Sequence, residues 1–248
     1  MSFATVKYIS ILGASTSTFD GFSNCEKYNS TIKNNAVYYP KSDFLNDVND
    51  TWWMKTINEL GLKLCVNNSW SGSCVTTEDG VCKAGCMGRA TELHNDICGI
   101  EPDIIVLIIG GNDALRGYDI GEYNGVCDIY DPNNKTYIGD CNLFGQAYAT
   151  MVHKVKSRYR DADIYVCSMM NWKPRKHNKS LIPYNQVIEK IANELSVTYI
   201  DLFNDTDVSP ETEHIYFTTD GVHANKYGFA QMSDCIIRAL KAKYGDLI

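Results

Sequence analysis

A chain of 248 residues with 44% hydrophobic content is long enough to bury a sizeable core. Its formal charge of -7, with no basic run, excludes the electrostatic attraction that nucleic acid or an anionic membrane surface requires. No apolar stretch approaches the roughly 20 residues of a membrane span, and no basic leader with a cleavage site precedes Gly13, so a cytoplasmic location is expected.

The first β-rich apolar run covers residues 7–12 and leads directly into Gly13-Ala14-Ser15-Thr16-Ser17. Residues 20–50 then lack periodicity and are rich in Tyr and Asn, as expected of a lid-like loop. Trp53, Ile57 and Leu60 form a helical stripe that Gly61 ends. A second strand at residues 62–66 is followed by Asn67-Asn68-Ser69-Trp70-Ser71-Gly72, and Leu93, Ile97 and Ile100 suggest a second helix. The third strand, residues 104–109, runs into Gly110-Gly111-Asn112-Asp113. A second aperiodic stretch, residues 115–140, precedes a helix carrying Phe144, Tyr148, Met151 and Val155. A fourth strand at 164–169 and a fifth at 197–203 flank a helix that starts after Ser180, has Pro183 in its first turn and carries Val187, Ile191 and Leu195. After Asp220-Gly221-Val222-His223, Asn225 caps a last helix with Phe229, Met232, Ile236 and Leu240.

Alternation of short apolar runs with helical stripes predicts an α/β fold, a parallel sheet covered on both faces, in a single domain over residues 1–248. No repeat, low-complexity tract or linker divides it. The small polar motifs all follow strands at the end where open α/β sheets bind ligands. Nucleotide and zinc-protease signatures are absent, as is the G-x-S-x-G elbow of the α/β-hydrolases.

Taken singly, each polar motif is also the composition of an ordinary turn or cap. Ser15 sits where a strand-to-helix turn exposes a hydroxyl; Gly72 lets backbone approach a ligand; the Asn112 amide can donate to developing negative charge. A serine nucleophile needs a histidine base oriented by a carboxylate. Of five histidines, His223 is the one with an aspartate, Asp220, three residues earlier on a glycine-containing loop. The ten cysteines are spread through a chain that can stabilise itself by burial, so most are expected to be reduced. Cys127 and Cys141, which bracket a loop, are the pair most suspected of a bridge. A metal or redox centre on Cys74, Cys82, Cys86 and His94 is a rival reading, but the spacing lacks paired C-x-x-C knuckles and no metal is expected.

In this order and at these strand ends, the four blocks resemble those of SGNH or GDSL-type hydrolases, over nearly the whole chain. The resemblance implies the SGNH hydrolase fold, a flavodoxin-like αβα sandwich with a five-stranded parallel sheet in 2-1-3-4-5 order. It implies a serine esterase: Ser15 as nucleophile, His223 as base, Asp220 as its orienter, and an oxyanion hole from the Ser15 and Gly72 amides and the Asn112 side chain. Such a cycle needs no cofactor. The first block departs from the family's G-D-S in having Ala14, a position that braces the nucleophile loop; Asp113 or Asp20 are the carboxylates that could compensate. Trp70 and Asp113 are expected in the substrate pocket, and the partner is a small-molecule ester, first an acetylated sugar, with a short-chain lipid or thioester second. A silent ligand-binding homologue, in which Ala14 marks decay of the site, is the alternative from outside enzymology.

Overall fold

The computed structural model describes residues 6–23, 36–41, 44–76, 88–173, 180–218 and 220–245. Five strands, β1 (Tyr8–Gly13), β2 (Lys63–Asn67), β3 (Ile104–Ile108), β6 (Asp163–Cys167) and β7 (Thr198–Ile200), form one sheet in the order β2-β1-β3-β6-β7, with every pairing parallel. Counting sheet strands alone, this is the 2-1-3-4-5 order of the flavodoxin-like sandwich. Strands β4 (Tyr130–Asp131) and β5 (Thr136–Tyr137) make a separate antiparallel hairpin. The central strand β3, Ile-Ile-Val-Leu-Ile, is buried over its first four residues, as expected for a strand covered on both faces.

The first crossover leaves β1 in one direction along the sheet and the later ones leave β3 and β6 in the other. Right-handed crossovers therefore put their helices on opposite faces. Helix α1 (Trp52–Leu60) packs against the last helix, α6 (Lys226–Tyr244), while α3 (Phe144–Arg158) packs against α4 (Ile182–Glu194). Local chemistry sets the ends: the Thr51 hydroxyl accepts from the Met54 amide at the start of α1, left-handed Gly61 ends it, and the Asn225 side chain accepts from the Tyr227 and Gly228 amides at the start of α6. Two further short helices are α2 (Gly111–Arg116) and α5 (Glu213–Tyr216). None of the described helices is long and apolar enough to cross a membrane.

One predicted helix does not form. Residues 92–100, with the stripe of Leu93, Ile97 and Ile100, make a bridged loop after a single 3-10 turn at Arg89–Thr91. The Asn95 side chain takes the Ile97 and Cys98 amides, and Gly99 turns left-handed, which removes the amides and the backbone direction a helix needs. Leu93 is buried, but Ile97 is 95% exposed. The aperiodic stretch 115–140 is equally ordered in its own way. It packs on α3 and α4 through buried Tyr123 and Ile129, and is tied down by Lys190 Nζ to the Tyr123 carbonyl (2.5 Å), by the Tyr184 hydroxyl to the Tyr118 carbonyl, and by Gln146, which donates to the Glu122 carbonyl and accepts from the Asp140 amide.

Candidate active site

Strand β1 ends at Gly13, where no side chain fits: a Cβ would lie 2.5 Å from Ser17 Oγ and 3.1 Å from the Ile108 carbonyl oxygen. The chain then folds into a single 3-10 turn, Ser15–Ser17. Asn67 Nδ2 donates to the Ser17 carbonyl (2.7 Å), Trp52 Nε1 to Ser17 Oγ (3.3 Å), and the Thr18 hydroxyl to the Ser15 carbonyl (2.8 Å). These groups hold the loop in which Ala14 stands. Neither suggested carboxylate does so. Asp113 is fully buried and accepts from the Val75 and Thr76 amides, while Asp20 is exposed and its backbone amide donates to the Tyr39 carbonyl.

At the other end of the chain, a tight loop between α5 and α6 carries Asp220 and His223. Asp220 Oδ1 accepts from the Val222 and His223 amides (2.9 Å each) and from the Thr218 hydroxyl (2.8 Å), and left-handed Gly221 closes the turn. The rigid carboxylate is left with Oδ2 facing His223 Nδ1 at 2.7 Å, and His223 Nε2 stands 2.8 Å from Ser15 Oγ. Burial works against the Asp220 charge, but the His223 and Val222 amides outweigh it and hold the carboxyl well below its ordinary range. The imidazole of His223 goes the other way: burial depresses its basicity more than Asp220 raises it, with Lys41 adding to the depression. A neutral imidazole between a fixed anion and a serine hydroxyl is equipped to take the hydroxyl proton.

Gly72 lies at φ 77° in a turn closed by the Ser73 amide on the Trp70 carbonyl, and Arg116 Nη2 donates to its carbonyl. Asn112, in the first turn of α2, donates through Nδ2 to the Ser73 carbonyl (2.9 Å) and lines one pocket together with Ser15. That pocket, about 60 Å³, is walled by Leu115, Met169, Met170, Trp172, Leu202 and Val222. Two expected lining residues are elsewhere. Trp70 is buried against Ala36 and Val37 with the Arg89 guanidinium 5.0 Å over its ring, and Asp113 faces residues 75–76.

Sequence reasoning missed the apolar wall after β6, which reads as core, and Tyr38, whose ring lies on His223. Of the residues of the metal reading, only Cys74 and His94 are described. Cys74 Sγ is 2.9 Å from Arg116 Nη1, His94 is taken by Asp96 and the Tyr159 hydroxyl, Cys82 and Cys86 lie outside the described residues, and among the described residues no cluster has a metal-ligand arrangement. The suspected Cys127–Cys141 bridge is absent: Cys141 is disulfide-bonded, whereas Cys127 is in no disulfide, nor are Cys65, Cys74, Cys98, Cys167 and Cys235.

A parallel 2-1-3-4-5 sheet with Ser15, Gly72 and Asn112 beyond the carboxyl ends of β1, β2 and β3, and His223 beyond the last strand, defines an esterase of the SGNH type. Residues 7–238 match the GDSL-like Lipase/Acylhydrolase family, and the chain belongs to that family of ester-hydrolysing enzymes. Among solved structures it is similar to a protein from Bacteroides ovatus described as a GDSL-like lipase, with 24% identity and a TM-score of 0.69 over 96% of this chain and 100% of that one. It is also similar to a catalytic mutant of an acetylxylan esterase from Geobacillus stearothermophilus (17% identity, TM-score 0.59, covering 96% and 95%) and to a family 3 carbohydrate esterase from Clostridium thermocellum (14%, 0.56, covering 95% and 99%). No curated protein matches the chain.

Proposed function

We propose that the protein is a serine esterase that removes short acyl groups, acetyl first, from a carbohydrate. The observation that carries the reading is the unbroken series Asp220, His223, Ser15, at 2.7 and 2.8 Å, opening onto a small apolar pocket. His223 Nε2 takes the Ser15 proton as Oγ attacks the ester carbonyl, and Asp220 stabilises the imidazolium. The Ser15 and Gly72 amides and the Asn112 side chain hold the oxyanion; the imidazolium then protonates the leaving alcohol. Water, deprotonated by the same imidazole, cleaves the acyl-enzyme and regenerates Ser15. No metal or organic cofactor enters this cycle.

A cavity of about 60 Å³ holds only a few heavy atoms, since a single water occupies about 10–15 Å³ on this measure. That favours an acyl chain of two to four carbons. The carbohydrate side of the reading draws support from the acetylxylan and carbohydrate esterases of the same fold. The methionine and leucine lining favours a second reading, short-chain lipid or thioester hydrolysis, in which butyryl is preferred to acetyl. Wild type and Ser15→Ala are compared on acetylated sugars and on p-nitrophenyl acetate, butyrate and octanoate. Acetate turnover that Ser15→Ala abolishes supports the proposal; a folded wild type that turns over none of these esters makes it a silent binder.

A further inference from the structure

The segment 36–41 is hydrogen-bonded to three loops of the site. The Ser71 amide donates to the Ala36 carbonyl (2.7 Å), beside Gly72. The Tyr38 amide donates to the Thr18 hydroxyl (2.9 Å), which itself donates to the Ser15 carbonyl (2.8 Å). The buried Tyr39 hydroxyl donates to the Ala224 carbonyl (2.5 Å), next to His223. From this fixed backbone the Tyr38 side chain reaches the base itself. Its ring stacks on the His223 imidazole with centroids 3.6 Å apart and planes 10° from parallel, and its hydroxyl donates to Asp220 Oδ2 at 2.9 Å. Oδ2 is the oxygen that also accepts from His223 Nδ1.

We infer that Tyr38 is a positioning residue for the histidine base: its ring fixes the imidazole plane and its hydroxyl divides the charge of Asp220 Oδ2 with His223. The inference rests on the assignment of Ser15, His223 and Asp220 made above. A histidine bonded only through its two nitrogens can still rock about the line joining them; a parallel ring against one face removes that motion and keeps Nε2 on Ser15 Oγ. When the imidazole takes the Ser15 proton it becomes a cation lying on a π face, an attraction that neutral imidazole lacks, so the stack acts on the transition state more than on the ground state. The titratable and charged groups facing His223 are Asp220, Tyr38, Tyr39 and Lys41, whose Nζ sits 4.8 Å over the Tyr38 ring. The hydroxyl holds Oδ2 in place for His223 Nδ1 and in doing so takes some carboxylate charge from the imidazole, which makes the base less easily protonated in mild acid; the ring pulls both ways on protonation, excluding water but attracting the imidazolium.

The test uses Tyr38→Phe, which keeps the ring and loses the hydroxyl, and Tyr38→Leu, which loses both. Readouts are kcat, KM and the pH profile on p-nitrophenyl acetate, plus the rate at which a fluorophosphonate labels Ser15, all per folded molecule. Expected are a kcat lowered about threefold to tenfold in Tyr38→Phe and about a hundredfold in Tyr38→Leu, with KM little changed and labelling slowed in parallel. The acid limb should move upward in pH in Tyr38→Phe, where the ring and its two opposed effects are kept and only the hydroxyl is lost. If Tyr38→Leu does not fold, the acid limb and labelling rate of Tyr38→Phe decide alone. Wild-type labelling rates with an unmoved acid limb would overturn the role of Tyr38 while leaving the esterase reading intact. A wild type that is not labelled at Ser15 would overturn both.

Discussion

Asn112→Ala separates a structural from a catalytic function at one side chain. Its Nδ2 carries two hydrogens, one of which goes to the Ser73 carbonyl at 2.9 Å, while the other has no partner among the described residues. Truncation therefore removes one ground-state hydrogen bond, about 1 kcal/mol, which in a domain of this size lowers the thermal midpoint by roughly 2–4 °C. If the second hydrogen meets the oxyanion, the same truncation costs about 2.7–4 kcal/mol in the transition state, a fall in kcat of roughly 10² to 10³ with KM little changed. The catalytic effect is the larger by about threefold in free energy, and it is read on a different axis. Initial rates on p-nitrophenyl acetate, normalised by fluorophosphonate titration of active serine, give kcat; a melt of the same preparation gives the midpoint. A lowered midpoint with near wild-type kcat would refute the oxyanion assignment and leave Asn112 as a brace for residue 73.

Because burial depresses His223 below its ordinary 6.5, kcat/KM should rise with pH to a midpoint below about 6.5 and be level by pH 7; a midpoint above 7 would contradict the burial argument. Asp113 behaves oppositely. Burial, opposed by the Thr76 and Val75 amides, pushes its carboxyl from 3.8 to about 6, so the fold favours the protonated form, and this contribution is full below pH 3.8 and lost as pH rises through 6. Relative to Asp113→Asn, wild type should lose roughly 2 kcal/mol between pH 4 and 7, and thermal midpoints of the two proteins that keep a constant separation would sink the idea. In Gly111→Ala the new Cβ would lie 3.2 Å from Trp172 Cη2, driving the indole into the pocket; butyrate turnover should fall several-fold relative to acetate, and an unchanged ratio would show that the pocket does not hold the acyl group.

Much of the architecture was legible because strands buried on both faces are short apolar runs and the helices carry clear stripes. Ser15, Asn112 and His223 were legible as positions because each follows a strand or precedes a helix where a polar residue has no packing duty. Neighbours in sequence misled. Asp113 follows Asn112 by one residue, but one residue on a helix is a turn of about 100°, which takes its carboxylate away from the pocket and toward the Val75 and Thr76 amides. Trp70 is two residues from Gly72, on the far side of a reversing turn. The Leu93, Ile97, Ile100 stripe had helical spacing, yet Asn95 and Gly99 supplied local hydrogen bonding and a left-handed residue that spacing alone does not weigh. Tyr38 left no signal, because its segment has no period and its contact with Asp220 spans 182 residues. The pocket wall of Met169, Met170 and Trp172 is apolar for the same reason as the core, so composition could not tell them apart.

The hydrogen bond between Ser15 and His223 spans 208 residues and joins the loop after the first strand to the loop before the last helix. A contact of such long range closes a large loop, whose entropy cost is met by the packing of the layers between. The loop bearing the base is anchored on α6, where Gly228 abuts the Tyr216 carbonyl so closely that a Cβ there would come within 2.3 Å of its oxygen. Loosening of that one helix would part base from nucleophile while the sheet stayed whole. Loss of turnover on warming is therefore expected to run ahead of the loss of secondary structure.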